Sequence, residues 1–238
     1  MRNIFLILLT LHVGLLANKL NIDDKFYIDY VQNSKLKKTI LVKDTDSPLG
    51  RYNLESKELS LKSLFRAHGH LCDGLLIAYI ELSNTLPLLF EDGVVDRTDL
   101  RVVAKNSPCL VDTSSLMSGA RLNHKTLSLD NKLDASFIVQ KISTGEAYKV
   151  ELADKTFLKE LKAKEKFIKT ANKKGESVSA KDIDEVEVLA FDVMKYLVKQ
   201  DAKELLKITK LQGYKFEFDI KDFGKRSDIV NKDVPRIK

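Results

Sequence analysis

The 238-residue chain holds only two cysteines, too few for a disulfide framework or a four-cysteine zinc ribbon. No apolar run approaches the ~20 residues that a membrane-spanning helix requires, which argues against a mature transmembrane span. From Asp154 to Lys210 arginine is missing and a single glycine remains. The positive charge, +6 overall with a pI near 9.1, is gathered nowhere in the sequence. From Glu151 to Gln212 fourteen lysines face twelve acids, and from Gly213 to Lys238 seven basic residues face five acids. Without an arginine stripe interleaved with aromatics, phosphates and bases have no platform. The basicity therefore reads as a solvated lysine-rich surface, and nucleic acid is not an expected partner. The 44% apolar and 31% charged residues are enough for a packed core.

The first residues read as a targeting segment. Met1-Arg2-Asn3 is a short positive head, Ile4 to Leu16 is almost wholly apolar, and Ala17 closes the run. That is the layout of a secretory signal peptide cleaved after Ala17, so residues 1–17 are expected to be removed and the chain to be periplasmic or secreted.

Past a lead-in segment (18–50) carrying Phe26, Tyr27 and Tyr30, apolar residues at helical spacing predict a helix from Leu54 to Phe65. Leu75 to Leu86 is apolar all round apart from Glu81, so it reads as a buried helix that Pro87 stops. Leu100–Ala104, Thr126–Leu129, Ala135–Ile142 and Ala147–Leu152 read as strands, the last two joined by a turn at 143–146. Asp112 to Met117 looks like the start of a helix. Phe157, Leu161 and Ile168 mark one lysine-rich helix, and Val186, Leu189, Val193, Met194 and Leu197 a second. Strict alternation from Tyr214 to Ile220 predicts a half-buried strand. The expected fold class is α+β: a mixed antiparallel sheet packed by a buried helix (51–152), followed by a helical hairpin and a final strand (153–238).

The chemistry concentrates at His68, His70 and Cys72, three soft or borderline metal ligands within five residues of a chain with four histidines in all. Imidazole and thiolate together suit zinc, and also copper, nickel or iron. If the segment is extended, residues two apart share one face, and Gly69 lets the backbone come close. Cys72 then falls at the N-terminus of the buried helix, where free N–H groups lower a thiol's pKa. The plainer alternative makes the histidines turn residues and Cys72 a small buried hydrophobe. Cys109 is a fourth candidate ligand or a redox partner. Asp112 is a candidate acceptor that orients a ligating imidazole, or else a helix cap. His124 is a further candidate site residue.

Phe65-Arg66-Ala67-His68-Gly69-His70-Leu71-Cys72-Asp73-Gly74-Leu75 resembles the opening motif of the FmdE family, roughly F-x-x-H-G-H-x-C-P-G-L. The stretch from Cys109 to His124 is similar to that family's second motif, roughly C-x-x-D-A-I-Q-x-x-T-G-C-T-x-G-K, with Cys109, Asp112 and Gly119 matching. Asp73 replaces the proline, Ser115 the glutamine, Ala120 the second cysteine and His124 the lysine, and the C-terminal zinc ribbon of many members is lacking. The resemblance covers about residues 55–215. It implies an α+β domain, often a homodimer, with a His/Cys metal-binding cleft.

Three functions follow as expectations. The first is an exported metal-binding protein, with Zn2+ or another transition metal on His68, His70, Cys72 and Cys109, handling a metal or metallocofactor for molybdenum or tungsten enzymes. The second is a thiol- or metal-dependent enzyme in which Cys72 acts with His68 and His70. The third is a partner-binding module stabilised by a Cys72–Cys109 disulfide.

Overall fold

The structure, a computed structural model, describes residues 22–47 and 49–220. The expected signal peptide and everything beyond residue 220 lie outside the described residues. Mixed helix and strand content confirms the α+β class.

Helix α1 (Ile22–Phe26) runs on into a π-helical turn, Tyr27–Val31. Phe26 is buried, its ring 5.1 Å from that of Phe191. The aromatic cluster of the lead-in segment thus straps the N-terminal end of the described chain to a later helix. Strand β1 (Thr39–Lys43) pairs antiparallel with β2 (Lys57–Ser60). The helix expected from Leu54 starts only at Leu61: α2 spans Leu61–His68, because the Ser60 hydroxyl accepts the Ser63 N–H and fixes the N-terminus there. Leu59 belongs to the strand, and Leu54 is exposed.

Helix α3 (Asp73–Thr85) is the axis of the core. Leu75 to Ser83 are all buried, including Glu81, as an apolar run without a polar face requires. It ends two residues before Pro87, which sits in the 3-10 turn Leu86–Leu89. The two-residue strand β3 (Val95–Asp96) pairs parallel with β1.

Strand β4 (Leu100–Ala104) then leads into α4 (Pro108–Ser118). This helix starts earlier than expected because Pro108 takes the first helical position, where its missing N–H costs nothing. Strands β5 (Leu127–Leu129), β6 (Ser136–Lys141) and β7 (Ala147–Leu152) follow. The hairpin is α5 (Lys159–Lys174) and α6 (Ala180–Leu197), broken by Gly175 in the left-handed conformation. The short helix α7 (Ala202–Leu205) turns into β8 (Leu206–Leu211). The main sheet has the order β5-β4-β6-β7-β8, parallel between β4 and β5 and antiparallel elsewhere.

The final strand is therefore Leu206–Leu211, and not the alternating stretch that follows it. Residues 214–220 do alternate between half-buried and exposed, but only Ile220 makes a ladder contact, with Leu129. Gln140 donates to the Tyr214 carbonyl, Arg101 lies over the Phe216 ring and Lys125 over that of Phe218. The segment crosses the sheet from β8 towards β5 as an extended strap. Its period of two comes from lying on a sheet face rather than from pairing within the sheet.

Candidate metal centre

His68 is the last residue of α2 and Cys72 the N-cap of α3, so the motif is a turn between two helices rather than an extended run. Gly69 at φ +103 donates its N–H to the Phe65 carbonyl and closes α2. Its role is the left-handed backbone, since an added Cβ would meet nothing within 4 Å. This left-handed step destroys the simple alternation. Leu71 is buried and His70 exposed, while a ring nitrogen of His68 and the sulfur of Cys72 come within 4.8 Å of each other.

The third donor comes from α4. Cys109 occupies the first turn of that helix, and α3 packs against α4. One nitrogen of His68 and the sulfurs of Cys72 and Cys109 all lie within 4.8 Å of one another. The two sulfurs are 3.2 Å apart, against ~2.05 Å for a disulfide, and both thiols are free. A tetrahedral zinc with bonds of ~2.3 Å to sulfur and ~2.1 Å to nitrogen spaces its ligands by about 3.6–3.8 Å. To hold such an ion the sulfurs would part by about half an ångström and the widest donor separation, up to 4.8 Å, would close by about an ångström. The donor set of two thiolates and one imidazole matches a zinc-like cation with a fourth position left over.

Asp112 lies one turn along α4 from Cys109, inside the helix and not at its cap. Its Oδ2 is 2.7 Å from His68 Nδ1. That contact commits Nδ1 and leaves Nε2 as the nitrogen available to a metal. The His68 side chain is 4% exposed and that of Asp112 47%, so the carboxylate reaches in from the solvent side. The ring of His70 packs against that of His68 with centroids 4.8 Å apart, and His70 is not among the three converging donors. His124 sits on the exposed turn after α4 and is not among them either.

The electrostatics follow from this packing. The Cys109 thiol is lowered to about 5, because Cys72 hydrogen-bonds to its sulfur and, against the cost of burial, His68 adds a second hydrogen bond and its charge. Cys72 moves the opposite way, well above an ordinary thiol, through the same bond to Cys109 and through burial. The pair thus carries one negative charge. It rests on Cys109 because that sulfur alone also touches His68. Against the expected activation of Cys72, its bond to Cys109 and its burial push the thiol up, although its Sγ accepts the Leu75 N–H at 3.4 Å. His68 is raised to about 9 by its bond to Cys109, with burial opposing and Asp112 assisting. Asp73 is raised to about 6 by burial and then by the charges of Glu165 and Cys109.

Two residues quoted only as parts of motifs acquire reasons. A Cβ on Gly74 would stand 3.3 Å from Cys109 Sγ, so the missing side chain lets the sulfur sit a few tenths of an ångström closer to α3. A Cβ on Gly119 would stand 2.4 Å from the Arg97 carbonyl, and φ is +73 there.

The family profile described as "FmdE, Molybdenum formylmethanofuran dehydrogenase operon" matches residues 67–207, more than half of the chain. The chain belongs to the FmdE family. The matched stretch runs from α2 to β8 and contains all three converging donors of this FmdE member. Among solved structures, it is similar to an FmdE-like protein of the tungsten formylmethanofuran dehydrogenase type from Syntrophus aciditrophicus. The two are 13% identical with a TM-score of 0.41, over 64% of this chain and 72% of that one. No curated protein matches.

Proposed function

We propose that this FmdE member binds a transition metal, zinc in the first instance, through His68 Nε2, Cys72 Sγ and Cys109 Sγ, and that it takes the metal up and gives it away. The carrying observation is the convergence of those three donors, with Asp112 on the far nitrogen of the imidazole. A carboxylate in that position fixes ring orientation and strengthens the ligand. His70 supplies an adjustable fourth donor. It is exposed, follows a glycine, and already touches His68, so it can turn in on loading and out on release. Three preset donors with one movable one suit transfer better than permanent structural binding. The family's operon description, which names a molybdenum enzyme, supports such an enzyme as the beneficiary.

The apolar run Ile4–Leu16 supports action outside the cytoplasm, where a bound cation would also shield the thiols from oxidation. The hairpin supports self-association. Helix α5 carries seven lysines and two glutamates, α6 two lysines and five acids, and Phe167 and Val188 are 54% and 60% exposed on them. A second copy can set basic helix against acidic helix.

Elemental analysis of the full chain, purified without chelator or affinity resin, tests the reading. One metal per chain in the wild type and none in Cys72→Ala and Cys109→Ala is expected. A metal-free wild type with reduced thiols would end it.

A further inference from the structure

A second cluster of charges stands on the same end of the main sheet and plays no part in the metal centre. Asp134, two residues before β6, has its carboxylate oxygens 3.8 Å from Lys105 Nζ, 3.1 Å from Lys155 Nζ and 3.7 Å from Lys162 Nζ. The three lysines come from separate places: the residue after β4, the loop after β7, and the first turn of α5. Nothing in the sequence shows them together. Asp134 itself holds φ +55 and ψ −147, a conformation that ordinary residues avoid. Burial works against ionisation of its carboxyl, but the Lys155 hydrogen bond and the charges of Lys162 and Lys155 keep it below the ordinary range. Glu81 is fully buried, which pushes its carboxyl well above the ordinary range against the pull of Lys155, and Glu151 is paired with Lys149 at 3.1 Å. Among these ion pairs three ammonium groups meet one carboxylate, an excess of two positive charges.

We propose that Lys105, Lys155 and Lys162 form a binding site for a small dianionic oxyanion, with Asp134 as the internal stand-in that gathers them. A carboxylate is itself an oxyanion, so the lysines already converge on oxygens at hydrogen-bonding or near-bonding distance. A tetrahedral dianion beside Asp134, or in its place, neutralises the remaining charge. The site lies near the thiols. Lys105 precedes Cys109 by four residues, which bounds their Cα separation at about 15 Å. Lys162 is one turn from Glu165, whose charge reaches Asp73 beside Cys72. The site rests on its own ion pairs and stands or falls apart from the metal reading.

Isothermal titration of the full chain with sodium molybdate, tungstate, phosphate and sulfate, with chloride as control, tests this. The wild type is expected to bind one dianion in a salt-sensitive manner. Lys155→Gln should weaken binding about tenfold and the triple Lys→Gln variant should abolish it, while Lys210→Gln, on the far edge strand, should change nothing. Asp134→Asn removes the stand-in's charge while keeping its shape, so it should tighten binding about tenfold. Selectivity for molybdate and tungstate would tie the site to metal handling. Equal binding of phosphate would make it a site for a phosphate-bearing ligand. Binding should survive in the Cys72→Ala, Cys109→Ala double variant, which separates this proposal from the metal centre. No binding above chloride, or an Asp134→Asn variant that binds more weakly than wild type, would overturn it.

Discussion

Cys72 Sγ and Cys109 Sγ lie 3.2 Å apart although 37 residues separate them, each at the start of a different helix and both in reach of His68. This contact defines the charge state of the metal-free centre: Cys109 a thiolate, Cys72 a thiol, His68 an imidazolium.

Metal binding should therefore release protons in a fixed number. Cys109 has none to give, Cys72 gives one and His68 gives one, so about two protons leave per zinc near neutral pH. Calorimetry in buffers of different ionisation enthalpy reads this number directly. Release close to three would place Cys109 among the protonated thiols.

The pH dependence of alkylation separates the two sulfurs. A group whose pKa is depressed keeps its charged form until the pH falls through the folded value. Cys109 should thus react with iodoacetamide at a level rate above pH ~6 and lose reactivity through pH ~5, while Cys72 reacts only at alkaline pH. His68→Ala should move the Cys109 profile upward. By the same linkage, the imidazolium–thiolate pair stabilises the metal-free fold chiefly between about pH 5, where Cys109 takes up its proton, and about pH 9, where His68 loses its own.

Asp112→Asn retains the size of the side chain but weakens its hold on His68 Nδ1. Zinc affinity should fall about 10- to 100-fold without loss of the fold, read by competition with a chromophoric chelator. His70→Ala should leave one zinc per chain but speed its release, a contrast that stopped-flow transfer to the chelator measures.

The glycines divide cleanly. Gly74→Ala puts a methyl 3.3 Å from Cys109 Sγ and should lower metal affinity more than stability. Gly69→Ala strains a left-handed residue with open space around it and should cost about 1 kcal/mol of stability in urea unfolding.

Much of this was legible in the residues. Helix α3 and strands β4, β6 and β7 follow from unbroken or alternating apolar runs that only one kind of element can bury. The site was legible as a set of residue types but not as an arrangement. Counting His68, His70 and Cys72 by twos presumes extended backbone, whereas Gly69 at φ +103 turns the chain and leaves His70 outside. The nearness of Cys109 depends on α3 packing against α4, and Gly74 shows its purpose only when that sulfur is in place. The strap at 214–220 imitates a strand because lying on a sheet face imposes the same period as pairing within one.

Cobalt substitution tests the central claim most directly. Reduced full-length protein titrated with Co2+ should saturate at one ion per chain. It should show intense thiolate-to-cobalt charge-transfer absorption, weakened in Cys72→Ser and in Cys109→Ser, with tetrahedral ligand-field bands that shift in His68→Ala. Saturation without thiolate absorption, or a spectrum untouched by those three substitutions, would contradict a metal held between these two helices.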